Sequence, residues 1–382
     1  MCKKTVHLHI GSHKTATTTL QNTLAANADL LARAGLLYPQ TGRSFNGHHP
    51  LALQLRDPEL QDQPLESRGD WPALLQEIET AQTPHVLLSS ENFEWLQQLA
   101  PLQALQRRYR VRVLFYMRSP QTYLESFYNQ VVKDLKTRES RTLETYICEH
   151  GLFFLDNEKL LNRWSDAFGQ EAVQVQLYEK SRSPEALLER FLDALGCHSR
   201  LPLLLPPQTA LQKVSLPPDA LEYLRLRNLH QAPTNGQYHL TMALAQITRH
   251  KAAALQRTRA GLLSLAAQRN LLNRFSAGNR RVARRYLGSD RSPFLPSQAR
   301  AHAQFDSRLP QGDDVMISKV EALLSRFERS AEPTTTASGA GRSGPKPPQD
   351  PPPQSRRAPP TSSAPASSAP DLPLALSLPP TR

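Results

Sequence analysis

Hydrophobic and polar positions alternate in blocks along residues 1–330, and the blocks predict buried strands separated by helices. The first strand is followed by leucines at helical spacing, which predict a helix over residues 17–34 that Gly35 ends. Four short apolar runs have the composition of strands buried in a parallel sheet, and they cover residues 5–10, 85–88, 111–117 and 172–178. This alternation predicts an α/β fold of three layers with a central, mainly parallel sheet.

Further helices are predicted in the carboxy-terminal half. Ser183 and Pro184 form a typical helix start, and Gly196 is a typical end. The segment between them carries five apolar residues at helical spacing, namely Leu187, Leu188, Phe191, Leu192 and Leu195. From about residue 215 the pattern is mostly helical, so we expect a helical carboxy-terminal part beside the sheet.

Residues 331–382 differ in composition from everything before them. They hold 14 prolines among serine, threonine and alanine, and almost no aromatic residue. Such a segment cannot bury enough apolar surface to offset the entropy lost on ordering, so we predict a disordered tail. The domain boundary is therefore placed at residue 330, after one folded domain of residues 1–330.

The formal net charge is +12, and residues 331–382 contribute little of it because they hold five basic and three acidic residues. Part of the excess lies in the arginines of residues 280–285. A nucleic-acid patch, a field that attracts a small polyanion and a solvated helix face are three interpretations of this cluster.

Membrane and disulfide signals are missing from the sequence. No run approaches 18 apolar residues, and the first residues lead directly into a strand. The three cysteines, Cys2, Cys148 and Cys197, form no C-x-x-C pair. We therefore predict a cytoplasmic protein with reduced thiols and no transmembrane segment.

The first predicted strand runs into the polar loop GSHKTATTT of residues 11–19. The order of strand, loop and helix is P-loop-like, yet Leu8 and His13 occupy the two glycine positions of the usual triphosphate-binding consensus. Helix-start amides, the Lys14 ammonium and threonine hydroxyls would all face an anion. An ordinary strand-to-helix turn with threonine caps is the alternative. We predict an anion site formed by Gly11, Lys14, Thr15, Thr17 and Thr18.

The third predicted strand ends in Arg118. In a nucleotide hydrolase a strand of this type usually ends in the aspartate that holds Mg²⁺. Arginine instead suits a phosphate, which it binds through two parallel hydrogen bonds. Ser126 follows eight residues later on the next predicted helix, where it can contact the same group. An exposed arginine at a strand end is the simpler alternative.

Taken together, these segments resemble the sulfotransferases that use 3′-phosphoadenosine 5′-phosphosulfate as donor, in particular bacterial single-domain members. The first motif of that family resembles H-I-G-x-x-K-T-G-T-T-x-L-Q, which residues 9–21 follow except at Ala16, where the family has glycine. The resemblance covers most of residues 5–330. It implies a P-loop-like fold and sulfuryl transfer to a hydroxyl or amine of an acceptor, such as a glycan or small molecule.

The resemblance also implies roles for individual residues. The resemblance assigns the 5′-phosphosulfate to the first loop, at Lys14, Thr15, Ala16, Thr17 and Thr18. Apart from the resemblance, His13 is a candidate for a further contact because it lies inside this loop. The resemblance assigns Arg118 and Ser126 to binding of the 3′-phosphate and Tyr178 to a contact with the adenine. Arg280 is assigned to a rim of the site that attracts anions. Ala16 puts donor affinity in question, because glycine lets the backbone come close to the donor.

Charge development during transfer suggests further roles. Negative charge grows on the bridging oxygen, and we expect Lys14 to stabilise it. A sulfuryl group carries less charge than a phosphoryl group, so we expect no metal. The acceptor needs a base, for which His48, His49 and Glu91 are the candidates.

Three other classes of protein stay open at this point. A P-loop kinase or NTPase predicts glycine spacing and a strand-end aspartate that the sequence lacks. A nucleic-acid-binding protein is suggested only by the arginines of residues 280–285, and we expect no nucleic-acid partner. A non-catalytic relative that binds the donor or a sulfated glycan is favoured slightly by Ala16.

Overall fold

The computed structural model describes residues 3–178, 183–197, 215–216, 218–230, 240–242, 244–245 and 262–298. Within them the chain forms a five-stranded sheet in the order β2-β3-β1-β4-β5, and every strand pair is parallel. The strands are β1 Thr5–His9, β2 Leu36–Leu37, β3 His85–Ser89, β4 Arg110–Met117 and β5 Val173–Leu177. All four predicted strands are present with bounds shifted by at most one residue. The short strand β2 was not predicted, because two residues carry no periodic signal.

Helices connect the strands and continue beyond them. In chain order they are α1 Thr17–Ala26, α2 Ala28–Arg33, α3 His49–Gln54, α4 Trp71–Thr80, α5 Ala100–Gln103, α6 Pro120–Lys133, α7 Leu143–His150, α8 Asn157–Phe168, α9 Pro184–Ala194, α10 Pro218–His230 and α11 Leu265–Tyr286. Helix α9 starts as predicted, since the Ser183 side chain accepts a hydrogen bond from the Ala186 amide.

The predicted helix over residues 17–34 is two helices. Asn27 lies between α1 and α2 with non-helical backbone angles, and its side-chain amide donates to the Thr23 carbonyl at 2.7 Å. Asparagine side chains compete in this way with the helical hydrogen bonds of the backbone. The prediction was wrong at this position because the leucine spacing continues across the break.

Buried side chains cover both faces of the sheet. On one face, Val6 and Leu8 of β1 pack with Trp71 of α4 and Trp164 of α8. On the other face, the core contains Leu20, Leu24, Leu87, Tyr116 and Phe191, which come from α1, β3, β4 and α9. Successive strand residues point to opposite faces, which supplies both layers. The α/β prediction of three layers around a parallel sheet is confirmed.

The predicted helical carboxy-terminal part is present in the described residues as α10 and α11. Helix α11 lies along α8, where the Asn157 amide donates to Asn279 at 3.1 Å and Ser165 contacts Tyr286. No helix of the described residues is long and apolar enough to cross a membrane. The predicted tail of residues 331–382 lies outside the described residues, so the domain boundary at residue 330 stays a prediction. The cytoplasmic location also stays a prediction.

The carboxyl ends of β1, β3, β4 and β5 meet at one edge of the sheet. Backbone hydrogen bonds connect the residues that follow these strands: the amide of Ser12 donates to Tyr116, that of Ser90 to His9, and that of Tyr178 to Met117. Ligands of such sheets bind beyond this edge. The loop of residues 11–16 and Arg118 therefore lie where a ligand site is expected.

Candidate functional site

The loop between β1 and α1 has an unusual backbone. Gly11, Lys14 and Ala16 have φ angles of 102°, 65° and 60°. For residues other than glycine such angles cost about 1–2 kcal/mol each and persist only where the surroundings hold them. Here the Ser12 hydroxyl donates to the Tyr116 carbonyl at 3.1 Å, and the Thr15 hydroxyl donates to the Ser12 carbonyl at 2.6 Å. The loop is thus held in a strained form directly beyond the sheet.

Ala16 is the residue that precedes helix α1. It has left-handed angles, and its methyl group cannot accept from the amides of the first helical turn. Those amides and the helix dipole are suited to an anion. Thr17 and Thr18 begin the helix, so their amides and hydroxyls lie at this end. The left-handed φ of Ala16 gives a second reason why glycine suits the position, besides the close approach of a ligand.

A buried carboxylate holds the middle of the loop. Glu94 Oε1 accepts from the His13 amide at 3.1 Å and from the Tyr123 hydroxyl at 2.6 Å, and it also contacts His13 Nδ1. The His13 ring stacks on Trp95 with centroids 4.1 Å apart. The side chain of His13 therefore faces Glu94 and Trp95, which differs from the expected contact with a phosphosulfate. Sequence reasoning missed Glu94, since nothing near it in the sequence indicates that its partners are His13 and Tyr123.

Arg118 connects the loop to the end of β4. Its guanidinium donates to the Lys14 carbonyl and, through Nε, to the Thr122 hydroxyl at 3.1 Å. The guanidinium also lies 5.6 Å from the centre of the Tyr178 ring. Arg118 is only 8% exposed, and burial lowers its pKa from the ordinary arginine value. The structure thus places Arg118 next to the Lys14 main chain and the Tyr178 ring, and the roles that the resemblance assigns to these residues stay predictions.

Helix α6 adds hydroxyl groups to the Arg118 side of the site. Ser126 lies one helical turn after Thr122, so both side chains project from the same face of α6. Ser126 is half-buried and Thr122 is exposed. Thr122 was not predicted, although its spacing of four residues from both Arg118 and Ser126 is a signal that could have indicated it.

His48 is a buried structural residue. Its Nε2–H donates to the Pro39 carbonyl and its Nδ1 accepts from the Ser89 amide, both at 3.1 Å. Burial is the largest cause that lowers its pKa to about 3. Both ring nitrogens are therefore occupied by backbone groups, and the expectation that His48 is a base is corrected on this ground.

His49 and Glu91 form a pair beside the loop. His49 Nδ1 lies 4.0 Å from Glu91 Oε2 and 2.9 Å from the Ser90 hydroxyl. A Cβ on Gly11 would lie 3.2 Å from the Glu91 Cα, so the first residue of the loop packs against this carboxylate residue. Two of the three predicted bases thus lie next to one another and next to the loop.

Gln21 joins this pair to the end of β3. Its side-chain amide donates to Glu91 Oε2 at 3.1 Å and to the Ser89 hydroxyl at 3.3 Å. A Cβ on Gly47 would lie 2.6 Å from His49 Nε2 and 2.9 Å from the Gln21 Cδ, so a larger residue there would have to displace one of these two side chains. Sequence reasoning missed Gln21, which belongs to the motif of residues 9–21 but carries no charge.

Arg280 is exposed on α11, and the described residues show no contact between it and the loop of residues 11–16. Its neighbours make local contacts: Arg281 pairs with Glu158 of α8, Arg284 with Asp290, and Arg285 donates to Asn162. Much of the arginine cluster therefore pairs with nearby side chains. Within the described residues, no group of three or more His, Cys, Asp or Glu side chains is arranged to hold a metal ion.

Comparisons with known proteins give one structural likeness. No family model matches the chain, and no curated protein matches it. Among solved structures, the chain is similar to the crystal structure of a sulfotransferase from Alicyclobacillus acidocaldarius. The two are 17% identical, the match covers 60% of this chain and 97% of that chain, and the TM-score is 0.37. The fold assignment given above is based on the observed sheet and its flanking helices.

Proposed function

We propose that this protein is a sulfotransferase that moves a sulfuryl group from 3′-phosphoadenosine 5′-phosphosulfate to a hydroxyl or amine of an acceptor, such as a glycan or small molecule. The observation that carries the proposal is the contact between Arg118 and the Lys14 carbonyl. It joins two segments suited to separate anionic groups, a strained loop at a helix start and a buried arginine at a strand end. A donor with two separate anionic groups fits this arrangement.

The described residues divide between the two ends of such a donor. Loop amides, the Lys14 ammonium and the first turn of α1 would hold the 5′-phosphosulfate. Arg118, Thr122 and Ser126 would hold the 3′-phosphate, with Tyr178 beside the adenine. Thr15 is fully buried and bonds to Ser12, so its hydroxyl fixes the loop while its amide stays a candidate donor.

In the proposed reaction the acceptor oxygen or nitrogen forms a bond to sulfur while the bond from sulfur to the 5′-phosphate oxygen breaks. The acceptor proton goes to the His49–Glu91 pair, and the bisphosphate leaves with the extra negative charge. Lys14 neutralises that charge, an interaction of a kind often worth roughly 3–4 kcal/mol. The proposal includes no metal, because lysine and amide donors can stabilise the leaving phosphate in this chemistry.

A non-catalytic protein that binds the donor or a sulfated glycan is the second candidate. The left-handed φ of Ala16, where glycine would be unstrained, is the observation that favours it. A P-loop kinase or NTPase has less support, because Arg118 stands at the strand end where such enzymes place an aspartate. The proposal also leaves out nucleic acid, since Arg281 and Arg284 are paired with carboxylates.

Calorimetric titration with 3′-phosphoadenosine 5′-phosphate tests the donor site, and turnover with labelled donor tests catalysis. We expect binding at micromolar concentration and transfer of label to an acceptor in a mixed set of glycans and phenols. Absence of binding at high micromolar concentration would contradict the proposal. Binding without transfer to any acceptor would favour the non-catalytic candidate.

A further inference from the structure

Gln21 is a buried, uncharged residue beside the proposed base. It is 1% exposed, and its Nε2 lies 3.1 Å from Glu91 Oε2, 3.3 Å from the Ser89 hydroxyl and 3.5 Å from the Ser89 carbonyl. All three oxygens can accept hydrogen bonds, so the atom that faces them is the amide NH₂. The side chain of Gln21 is therefore held in one orientation, with its donors directed at the carboxylate of Glu91.

Ser89 extends this network to β1. Its hydroxyl accepts from Gln21 and lies 2.8 Å from His9 Nδ1. Burial lowers the pKa of His9 to about 4, so the ring is neutral near pH 7 and Nδ1 can accept the Ser89 O–H. The two strand residues thus fix the Gln21 amide independently of Glu91.

Gln21 and His49 face the same oxygen of Glu91. The amide is at hydrogen-bond distance from Oε2, whereas His49 Nδ1 is 4.0 Å away and lies 2.9 Å from the Ser90 hydroxyl. An amide donor on a carboxylate oxygen weakens the attraction of that carboxylate for a neighbouring cation, because the positive end of the amide dipole faces the same oxygen. Without this donor, Oε2 is available to turn to the imidazole and form a direct ion pair with it.

We propose that Gln21 is a positioning residue: its amide occupies Glu91 Oε2, keeps the carboxylate from pairing directly with His49, and leaves His49 able to take the acceptor proton near neutral pH. A base works best when its pKa lies near the working pH, and a direct ion pair would hold the proton on the ring. The role of His49 as base rests on the proposed function. The effect of Gln21 on the titration of His49 does not.

Four neighbouring titratable side chains keep a constant charge while His49 titrates. His9, Tyr38 and Tyr123 interact electrostatically with Glu91, and His48 interacts with His49. Burial lowers the pKa of His9 to about 4 and that of His48 to about 3, and it raises the pKa of both tyrosines. All four are neutral between about pH 5 and pH 9, and Arg43, which acts on His48 and Tyr38, stays charged.

NMR of the full chain with isotope-labelled histidine rings tests the proposal, with no nucleotide added. His49→Gln identifies the His49 signal by its loss. Gln21→Met keeps the length of the side chain and removes its donors, so the titration midpoint of His49 should rise by at least about 0.5 pH unit. Gln54→Met is the matched control and should leave the midpoint unchanged, because Gln54 at the end of α3 donates to a different carboxylate, Asp70 Oδ2, at 2.8 Å.

Glu91→Gln separates an effect through the carboxylate from a general structural effect. In this background Gln21→Met should no longer move the midpoint of His49, because the oxygen that Gln21 and His49 share has lost its charge. A midpoint that stays the same or falls in Gln21→Met alone, or a rise that persists with Glu91→Gln, would overturn the inference. If Gln21→Met does not fold, Gln21→Asn carries the same test, since its amide is one methylene too short to reach Oε2.

Turnover with labelled donor separates this inference from the proposed function. The rate of Gln21→Met relative to the wild type should be lowest at about pH 6 and recover by about pH 9, because a raised midpoint leaves more of His49 protonated at low pH. A relative rate that is the same at both pH values would overturn the role in proton transfer. A wild type that transfers label to no acceptor, with a midpoint that still rises in Gln21→Met, would retain the effect of Gln21 on His49 and reject sulfuryl transfer.

Discussion

The guanidinium of Arg118 donates a hydrogen bond to the main-chain carbonyl of Lys14, a residue 104 positions earlier in the chain. The contact spans the gap between the end of β4 and the loop that follows β1. It fixes the loop at the residue whose ammonium is proposed to act in catalysis. A hydrogen bond to the Lys14 main-chain carbonyl therefore connects the two proposed anion-binding segments, which are the loop after β1 and the end of β4.

Lys14→Ala tests the proposed role of the ammonium group. Turnover with labelled donor should fall by about two to three orders of magnitude, because a donor aimed at developing charge is lost. Binding of 3′-phosphoadenosine 5′-phosphate should weaken less, since the loop amides remain. Activity within tenfold of the wild type would reject this role.

Ser126→Ala and Thr122→Val test the proposed 3′-phosphate site. The ratio of the affinity for adenosine 3′,5′-bisphosphate to that for adenosine 5′-phosphate should fall about tenfold or more in the double variant, because hydrogen bonds to a charged group are lost. Calorimetry with both nucleotides measures the ratio. Arg112→Gln is the control and should keep the ratio. Arg112 lies near the start of β4, whereas Arg118 directly follows the end of that strand.

Ala16→Gly tests the strain in the donor loop. Glycine adopts a φ of 60° without steric cost, so the free energy of unfolding should rise by about 0.5–1 kcal/mol despite the entropy that glycine adds to the unfolded chain. Donor affinity should rise as well, since the Cβ next to the anion site is removed. Urea unfolding and titration with the bisphosphate measure the two effects. A loss of stability would show that the loop does not favour glycine here.

Glu94→Gln tests whether the buried carboxylate positions the loop. The variant replaces the carboxylate that accepts hydrogen bonds from the His13 amide and the Tyr123 hydroxyl. Bisphosphate affinity should fall about tenfold, which agrees with the 1–3 kcal/mol cost of an unsatisfied buried group. Tyr123→Phe removes one of these donors and should have a smaller effect. If the two variants bind the bisphosphate like the wild type while both are destabilised, Glu94 supports the fold alone.

Stability should decrease as the pH falls below 6.5. Burial lowers the pKa of His7 and His9 to about 4 and that of His48 to about 3. Above pH 6.5 these histidines are neutral in both folded and unfolded chains, so they add no pH dependence. Between pH 6.5 and about 4 the unfolded chain binds protons that the folded chain does not, which costs about 1.4 kcal/mol per pH unit for each histidine.

Urea unfolding at pH 7, 6 and 5 measures this slope. His48→Gln removes one titrating group and should make the slope shallower, whatever its effect on stability at pH 7. A slope that is the same in the variant and the wild type would show that His48 is protonated in the folded protein.

The sequence predicts the strands and the edge where the site lies, because both follow from local patterns. Arg118 and the loop of residues 11–16 come directly after strands, and parallel strands end at the same edge. What adjacent side chains do at that edge is decided by packing. His48 and His49 are adjacent in the sequence, and no local pattern distinguishes them. In the structure both ring nitrogens of His48 are hydrogen-bonded to backbone groups, whereas His49 lies beside Glu91.

The residues that sequence reasoning missed are ones whose partners are distant in the chain. Glu94 acts through His13 and Tyr123, 81 and 29 residues away, and no short motif encodes such a set. Such contacts become visible only in three dimensions.

The oxygen of Glu94 that accepts from both His13 and Tyr123 has a consequence for folding. The loop after β1 can take its final shape only when the segment after β3 and helix α6 are both docked, because each supplies part of this cluster. A fragment that ends before α6 would leave Glu94 without the Tyr123 hydroxyl and the loop without part of its support. In the proposed donor site, affinity for the bisphosphate would therefore report whether the first 133 residues have assembled completely.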